Sequence, residues 1–151
     1  MPLVWSWRRF EDLGVDGVYD MLALRAKVFI LEQGPYLDPD GGDRHAWHLL
    51  GRDATSGALL AYLRVLDAGV KFDDVSIGRV VVDASLRKQG VGHELMREAL
   101  TLCARQWPGQ PISISAQAHL QRFYNRHGFE TSSGQYLDDG IPHVDMRRSA
   151  Q

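Results

Sequence analysis

The stretch Val80-Val81-Val82-Asp83-Ala84-Ser85-Leu86-Arg87-Lys88-Gln89-Gly90-Val91-Gly92 decides how the rest of the chain reads. A β-branched run at 75–82 enters a loop with two basic residues and two glycines. The loop opens onto an apolar stripe, Val91, Leu95, Leu100, Leu102 and Cys103. That pattern predicts a strand at 75–82 and a helix at 90–106, stopped by Trp107-Pro108-Gly109. A helix N-terminus presents unpaired N–H groups and the positive end of a dipole, which suits a pyrophosphate. Glycines at 90 and 92 clear side chains from the approach, and Arg87 and Lys88 add positive charge. The spacing is not that of a P-loop, and it lacks the third glycine of dinucleotide folds.

Upstream, residues 3–7 read as a first strand, and residues 17–31 as a helix capped by Asp16. Residues 33–44 read as a loop with three glycines, two prolines and three aspartates. Strands at 47–51 and 58–66 around a turn at 53–57 form a hairpin. Gly78 inside the 75–82 strand suggests a bulge or a close backbone approach. Downstream follow a strand at 111–116, a short helix at 118–127, and strands at 130–137 and 141–148 joined by Asp138-Asp139-Gly140. The expected fold class is α/β (α+β): a mixed, mostly antiparallel sheet flanked by helices.

The 151 residues predict one domain, 1–151, with 44% hydrophobic and 24% charged residues. The net charge of −2 and the lack of a basic stripe argue against a nucleic-acid partner. Apolar runs are too short for a membrane span, and the first residues do not read as a secretory signal. A cytoplasmic setting is expected, which suits Cys103, the one cysteine, read as a packed thiol. Asp38-Pro39-Asp40-Gly41-Gly42-Asp43 lacks the ligands of a calcium loop, and Asp43, His45 and His48 match no zinc spacing, so no metal is expected.

A second motif lies at Gln117-Ala118-His119-Leu120-Gln121-Arg122-Phe123-Tyr124-Asn125-Arg126-His127-Gly128-Phe129. Gly128 can end the helix in the left-handed conformation, and Phe129 can plug the core. Taken with Arg87-x-x-Gly90-x-Gly92, this segment resembles the GCN5-related N-acetyltransferases (GNAT family). That family carries Gln/Arg-x-x-Gly-x-Gly/Ala at a strand–loop–helix junction and a downstream Tyr-x-x-x-Gly-Phe. Gln117 stands where the family often has Asn. The chain is similar in particular to the ElaA-like subgroup. The matching text is Arg25-Ala-Lys-Val-Phe29-Ile-Leu-Glu32-Gln33, Tyr36, Asp40-Gly41-x-Asp43 with Ala46 and His48, Ile77-Gly78-Arg79-Val80, Ala116-Gln117-Ala118 and Gly140-Ile-Pro-His143.

The resemblance implies a GNAT-type acyltransferase that moves the acetyl group of acetyl-CoA to a primary amine by direct attack. It implies that Arg87, Lys88, Gln89, Gly90, Val91 and Gly92 hold the pyrophosphate. Val80, Val81 and Val82 would line the pantetheine arm, with Gln117 and Tyr124 beside it, and Tyr124 would protonate the departing thiolate. Many relatives place a general-base Glu on the strand at 75–82, and this strand has no carboxylate. The candidates left are Glu32, His48 and His143, against a structural role for each; Arg25 is a candidate ion-pair partner of Glu32. The acceptor is expected to be a small-molecule or peptide amine. Asp38, Asp40, Asp43, Asp138 and Asp139 suggest a cationic one, unless they only cap turns. Two alternatives stay open: a non-catalytic acyl-CoA-binding sensor or partner module of the same fold, and a longer acyl chain. The sequence does not set the oligomeric state; a homodimer is one option.

Overall fold

In the computed structural model, which describes residues 2–34 and 36–150, the strands are β1 (Leu3–Arg9), β2 (Trp47–Asp53), β3 (Leu59–Leu66), β4 (Val75–Val82), β5 (Ile112–Gln117), β6 (Glu130–Thr131), β7 (Tyr136–Asp138) and β8 (Ile141–Arg148). The helices are α1 (Gly14–Arg25), α2 (Val91–Gln106) and α3 (Gln121–Asn125). Met1, Gln151 and Pro35 of the expected 33–44 loop lie outside the described residues. The strands form one sheet in the order β1-β2-β3-β4-β5-β8-β6, with β7 on β8. All neighbours are antiparallel except β4 and β5, which run parallel.

Strand side chains alternate between two faces, so each strand feeds two cores. Ala61, Leu63 and Leu49 pack with Leu95, Met96 and Ala99 of α2. Leu50, Tyr62 and Val81 face the other way, against Met21 and Leu24 of α1 and Val28 and Phe29 just beyond it. Burying a side chain such as Leu95, fully enclosed here, contributes about 1.5–3 kcal/mol. Cys103 is buried, and burial pushes its thiol up to about 12. Among the described residues no helix is long and apolar enough to cross a membrane.

Several local expectations need correction. The first helix begins at Gly14, after a 3-10 turn at Phe10–Asp12, so Asp16 lies in the first turn and caps nothing. It runs on into a π-helical turn at Ala26–Ile30, a distortion that often marks functional sites. Residues 118–127 divide into a 3-10 turn, Ala118–Leu120, and α3. The single strand expected at 130–137 is two short strands, β6 and β7, both on β8.

The feature that makes room for a site is β4. It pairs with β5 only at Val75↔Ile112 and Ser76↔Ser113, after which no pairing continues. Against β3 its register moves from Arg64↔Gly78 to Tyr62↔Val81, so β4 carries one extra residue there. That bulge holds Arg79 at φ 54, a left-handed conformation unusual for a residue with a side chain.

Candidate active site

The cavity of about 350 Å³ lies where β4 and β5 part. Its walls include Gly78, Arg79 and Val80 from β4, Ser115 and Gln117 from β5, and Tyr124 from α3. Phe29 and Gln33 close it from the α1 side, and Lys71, Asp138, Asp139 and His143 reach it from two hairpins. A cleft between diverging parallel strands exposes backbone groups that a continuous ladder would consume, so it can hold an extended, polar-backboned ligand.

Tyr124 is buried at 6% exposure, and burial drives its hydroxyl well above the ordinary tyrosine range. Its ring is fixed edge-on by Phe123 at 5.0 Å and Phe129 at 6.0 Å between centroids. Phe129 plugs the core as the sequence suggests, at 1% exposure, and Gly128 takes φ +87 at the helix end. The Gln117 Nε2 donates to Gln33 Oε1 at 3.1 Å, linking β5 to the turn that follows the π-helical segment.

The loop before α2 shows why its two glycines are there, and the reasons differ. Gly90 is the N-cap of α2 at φ +79, ψ 5, with open space where a Cβ would stand. Gly92 has ordinary backbone, but a Cβ there would meet the Phe123 ring at 3.2 Å. So Gly90 serves loop shape and open approach, and Gly92 serves the packing of α2 on α3. Lys88 is also left-handed, at φ 66. Gln89 Nε2 donates to the Ser85 carbonyl, and Val91 is buried. Val80 lines the cavity, Val82 packs beside it towards α2, and the Val81 side chain is buried in the opposite core. Any contact of Val81 with a ligand is therefore through its backbone. Asp83 accepts from Lys27 Nζ at 2.8 Å and from Ser85, which holds its carboxyl near 2 and ties the loop to the π turn.

The three base candidates end in different places. Glu32 receives both Arg87 guanidinium nitrogens, at 2.7 and 3.0 Å, and that hydrogen bonding lowers its carboxyl below the usual range. It is not among the cavity walls, and its partner is Arg87 rather than Arg25. His48 is fully buried; Nε2 donates to the Asp43 carbonyl at 2.9 Å and Nδ1 accepts from the Tyr62 hydroxyl at 2.6 Å. Both nitrogens are used and the ring is outside the cavity. His143 lines the cavity, with Nδ1 donating to the Ile141 carbonyl at 2.7 Å.

Of the aspartates of the 33–44 loop, Asp38 and Asp43 are buried, while Asp40 is exposed and accepts from the Gly42 N–H across a turn; all three are paired with arginines. Arg25 binds Asp38 at 2.9 Å and Asp43 at 2.7 Å; Arg64 binds Asp43 at 3.0 Å and Asp40 at 2.7 Å. Arg79, swung out by the bulge, binds Asp38 at 2.8 Å. Three guanidinium groups face three carboxylates, so the loop is pinned by ion pairs, buried at Asp43 and Asp38 and partly exposed at Asp40. Of the loop aspartates only Asp40 lines the cavity, where it is paired with Arg64; Asp138 and Asp139 line it too, opposed by Lys71 and Arg79. Lys71 and Ser115 also line the cavity, and an exposed hairpin lysine and a strand serine carry no sequence signal. Gly78 did mark the bulge that delivers Arg79. Among the described residues no group of three or more His, Cys, Asp or Glu is placed to hold a metal ion.

A family model described as an acetyltransferase (GNAT) domain matches residues 54–150. The chain is 41% identical over 147 residues to protein ElaA of Escherichia coli, covering 95% of each. A UPF0039 protein of Synechocystis sp. is 40% identical over 147 residues, covering 97% of this chain and 95% of that protein. Among solved structures, an acyl-CoA N-acyltransferase from Pseudomonas aeruginosa superposes with TM-score 0.92 at 44% identity, covering 97% of this chain and 99% of that one. Escherichia coli ElaA superposes with TM-score 0.90 at 39% identity, again covering 97% and 99%.

Proposed function

The chain belongs to the GNAT acetyltransferase family, and on that premise we propose that it transfers the acetyl group of acetyl-CoA to a primary amine by direct attack in the cavity between β4 and β5. The observation that carries this reading is the joint presence of Tyr124 and His143 in that cavity. His143, with Nδ1 spent on a carbonyl, has Nε2 as its proton acceptor. In this reading Nε2 takes the proton from the amine as its nitrogen bonds to the thioester carbonyl carbon. The freed backbone around Val80 stabilises the oxyanion. As the C–S bond breaks, the Tyr124 hydroxyl gives its proton to the sulfur, leaving an amide and a free thiol. Solvent returns a proton to Tyr124 and removes one from His143. The loop at 87–92 and the start of α2 hold the pyrophosphate, with Lys88 and, once released from Glu32, Arg87 beside it.

The acceptor is a small-molecule or peptide amine. With the loop aspartates neutralised, a strongly cationic acceptor is not required. The test has two arms. Amines are screened with acetyl-CoA for thiol release, and CoA binding is titrated calorimetrically for wild type and Gly90→Asp, which puts a negative side chain at the phosphate seat. Thiol release with a primary amine, and loss of CoA binding in a folded Gly90→Asp protein, support the reading. Tight CoA binding with no turnover on any amine class replaces it with a non-catalytic acyl-CoA-binding module. Unchanged affinity in Gly90→Asp removes the loop from the donor site.

A further inference from the structure

We propose that Ser115 is the seat for the acceptor's second N–H, and that Tyr136 and Asp145 hold it in that role, so that the site selects a primary amine over its N-alkylated counterpart. The inference rests on the proposed acetyl transfer, with His143 Nε2 as the proton acceptor. What carries it is a one-way chain of hydrogen bonds that starts at the cavity wall. Ser115 lines the cavity, and its Oγ lies 2.5 Å from the Tyr136 hydroxyl. That hydroxyl in turn lies 2.7 Å from Asp145 Oδ1.

Counting hydrogens gives the chain its direction. A carboxylate only accepts, so the Tyr136 phenol donates to Asp145. A phenol has one hydrogen, so its oxygen accepts from Ser115, and Ser115 spends its own hydroxyl hydrogen on that bond. Burial first, and then the bond to Asp145, push the Tyr136 hydroxyl up to about 12. The phenol therefore keeps its hydrogen at neutral pH, and the chain keeps its direction. What Ser115 Oγ has left for the cavity is acceptor capacity.

The sheet register sets this acceptor beside His143. Ser115 stands opposite Asp145 and Gln117 opposite His143 across β5 and β8, and Tyr136 stands opposite His143 across β7 and β8. Alternation puts Ser115 and Gln117 on one face of β5, and their partners on the same face of β8. Ser115 and His143 are thus diagonal neighbours, about 7–8 Å apart between Cα atoms, close enough for one amine nitrogen to reach both. Tyr136 also stacks on the His143 ring, at 6.1 Å between centroids and 26° between planes. One residue therefore orients both acceptors. A neutral primary amine has two hydrogens for them. As its lone pair bonds to the thioester carbon, one hydrogen passes to His143 Nε2 as a proton. The other stays on nitrogen, donated to Ser115 Oγ, and becomes the N–H of the amide product. A secondary amine has one hydrogen, and its alkyl group would face Ser115 and leave that oxygen without a donor.

Two measurements test this. The first compares acetyl transfer to a primary amine from the screen with transfer to its N-methyl derivative. Wild type is expected to favour the primary amine by at least about tenfold in kcat/KM, the worth of one hydrogen bond. Ser115→Ala loses that preference, and Ser115→Thr, which keeps the hydroxyl, retains it. Tyr136→Phe weakens it, because the serine hydroxyl is then free to turn. No preference in wild type, or a rate loss in Ser115→Ala that is equal for both amines, overturns the proposal. The second measurement needs no turnover: methylamine and trimethylamine are titrated into the protein and the His143 ring signals are followed by NMR. Methylamine has two or three N–H groups in either protonation state, and trimethylamine has at most one. Methylamine is expected to shift the signals at lower concentration, and Ser115→Ala to remove the difference. That result supports the seat even where no amine is acetylated, an outcome that fails the transfer reading alone. Equal shifts from the two amines overturn the seat, even where amines are acetylated.

Discussion

His143 donates its Nδ1 hydrogen to the carbonyl oxygen of Ile141, two residues back across 2.7 Å, and that one bond assigns Nε2 as the acceptor of a ring lining the cavity. His143→Asn can keep a donor for the Ile141 carbonyl and has no second nitrogen acceptor. Its kcat for acetyl transfer is expected to fall about 10²–10⁴-fold, with CoA affinity unchanged. Steady-state rates with an amine identified in the screen check this; near-wild-type turnover removes His143 from the proton path.

Tyr124→Phe keeps the ring that Phe123 and Phe129 hold and removes only the hydroxyl. The expected loss in kcat is again about 10²–10⁴-fold, with little change in melting temperature. A thiol leaving group of lower pKa, such as a thiophenyl ester of the acyl group, should recover part of the rate if the hydroxyl protonates the sulfur. No recovery, or no loss at all, makes Tyr124 a core aromatic.

Glu32→Gln separates two roles. If Glu32 only occupies Arg87, removing its charge frees the guanidinium for phosphate, and CoA affinity rises within about fivefold while kcat holds. A large fall in kcat with unchanged CoA affinity would instead return Glu32 to the list of bases.

Asp43 is gripped by two buried guanidinium groups, Arg25 at 2.7 Å and Arg64 at 3.0 Å. Asp43→Ala leaves both without it and is expected to cost about 3–5 kcal/mol, read from urea unfolding. A loss under 1 kcal/mol would show that Asp38 and Asp40 suffice to hold the loop.

His48 sets an acid limit on stability. Burial lowers its folded-state value, and Arg25 and Arg64 oppose its charge. A proton on Nδ1 would also displace the Tyr62 hydroxyl. The neutral ring therefore contributes fully above the unfolded value near 6.5, and that contribution is lost as pH falls below it. Unfolding free energy should decline between pH 7 and 5 in wild type and stay flatter in His48→Gln. Losses from Asp40 and Asp43, whose carboxyls are held low by arginines, should appear only below about pH 4.

Legible in the sequence were the order of the elements up to β5, the β4 and β8 spans, and the strand–loop–helix junction at 80–92. These rest on local physics: β-branched runs, helical spacing and glycine at a helix start act within a few residues of one another. The family was legible for the same reason, since its motifs are local. That β4 and β5 part after Ser76 follows only from the assembled sheet, because a cleft depends on how two strands diverge and not on either strand's composition. It also set apart Glu32, His48 and His143, three similar candidates in sequence, as a surface ion pair, a doubly bonded core ring and a cavity wall. The loop aspartates were visible but not their arginines, which arrive from α1, β3 and β4. Burial and charge pairing are long-range properties, set only when distant segments meet.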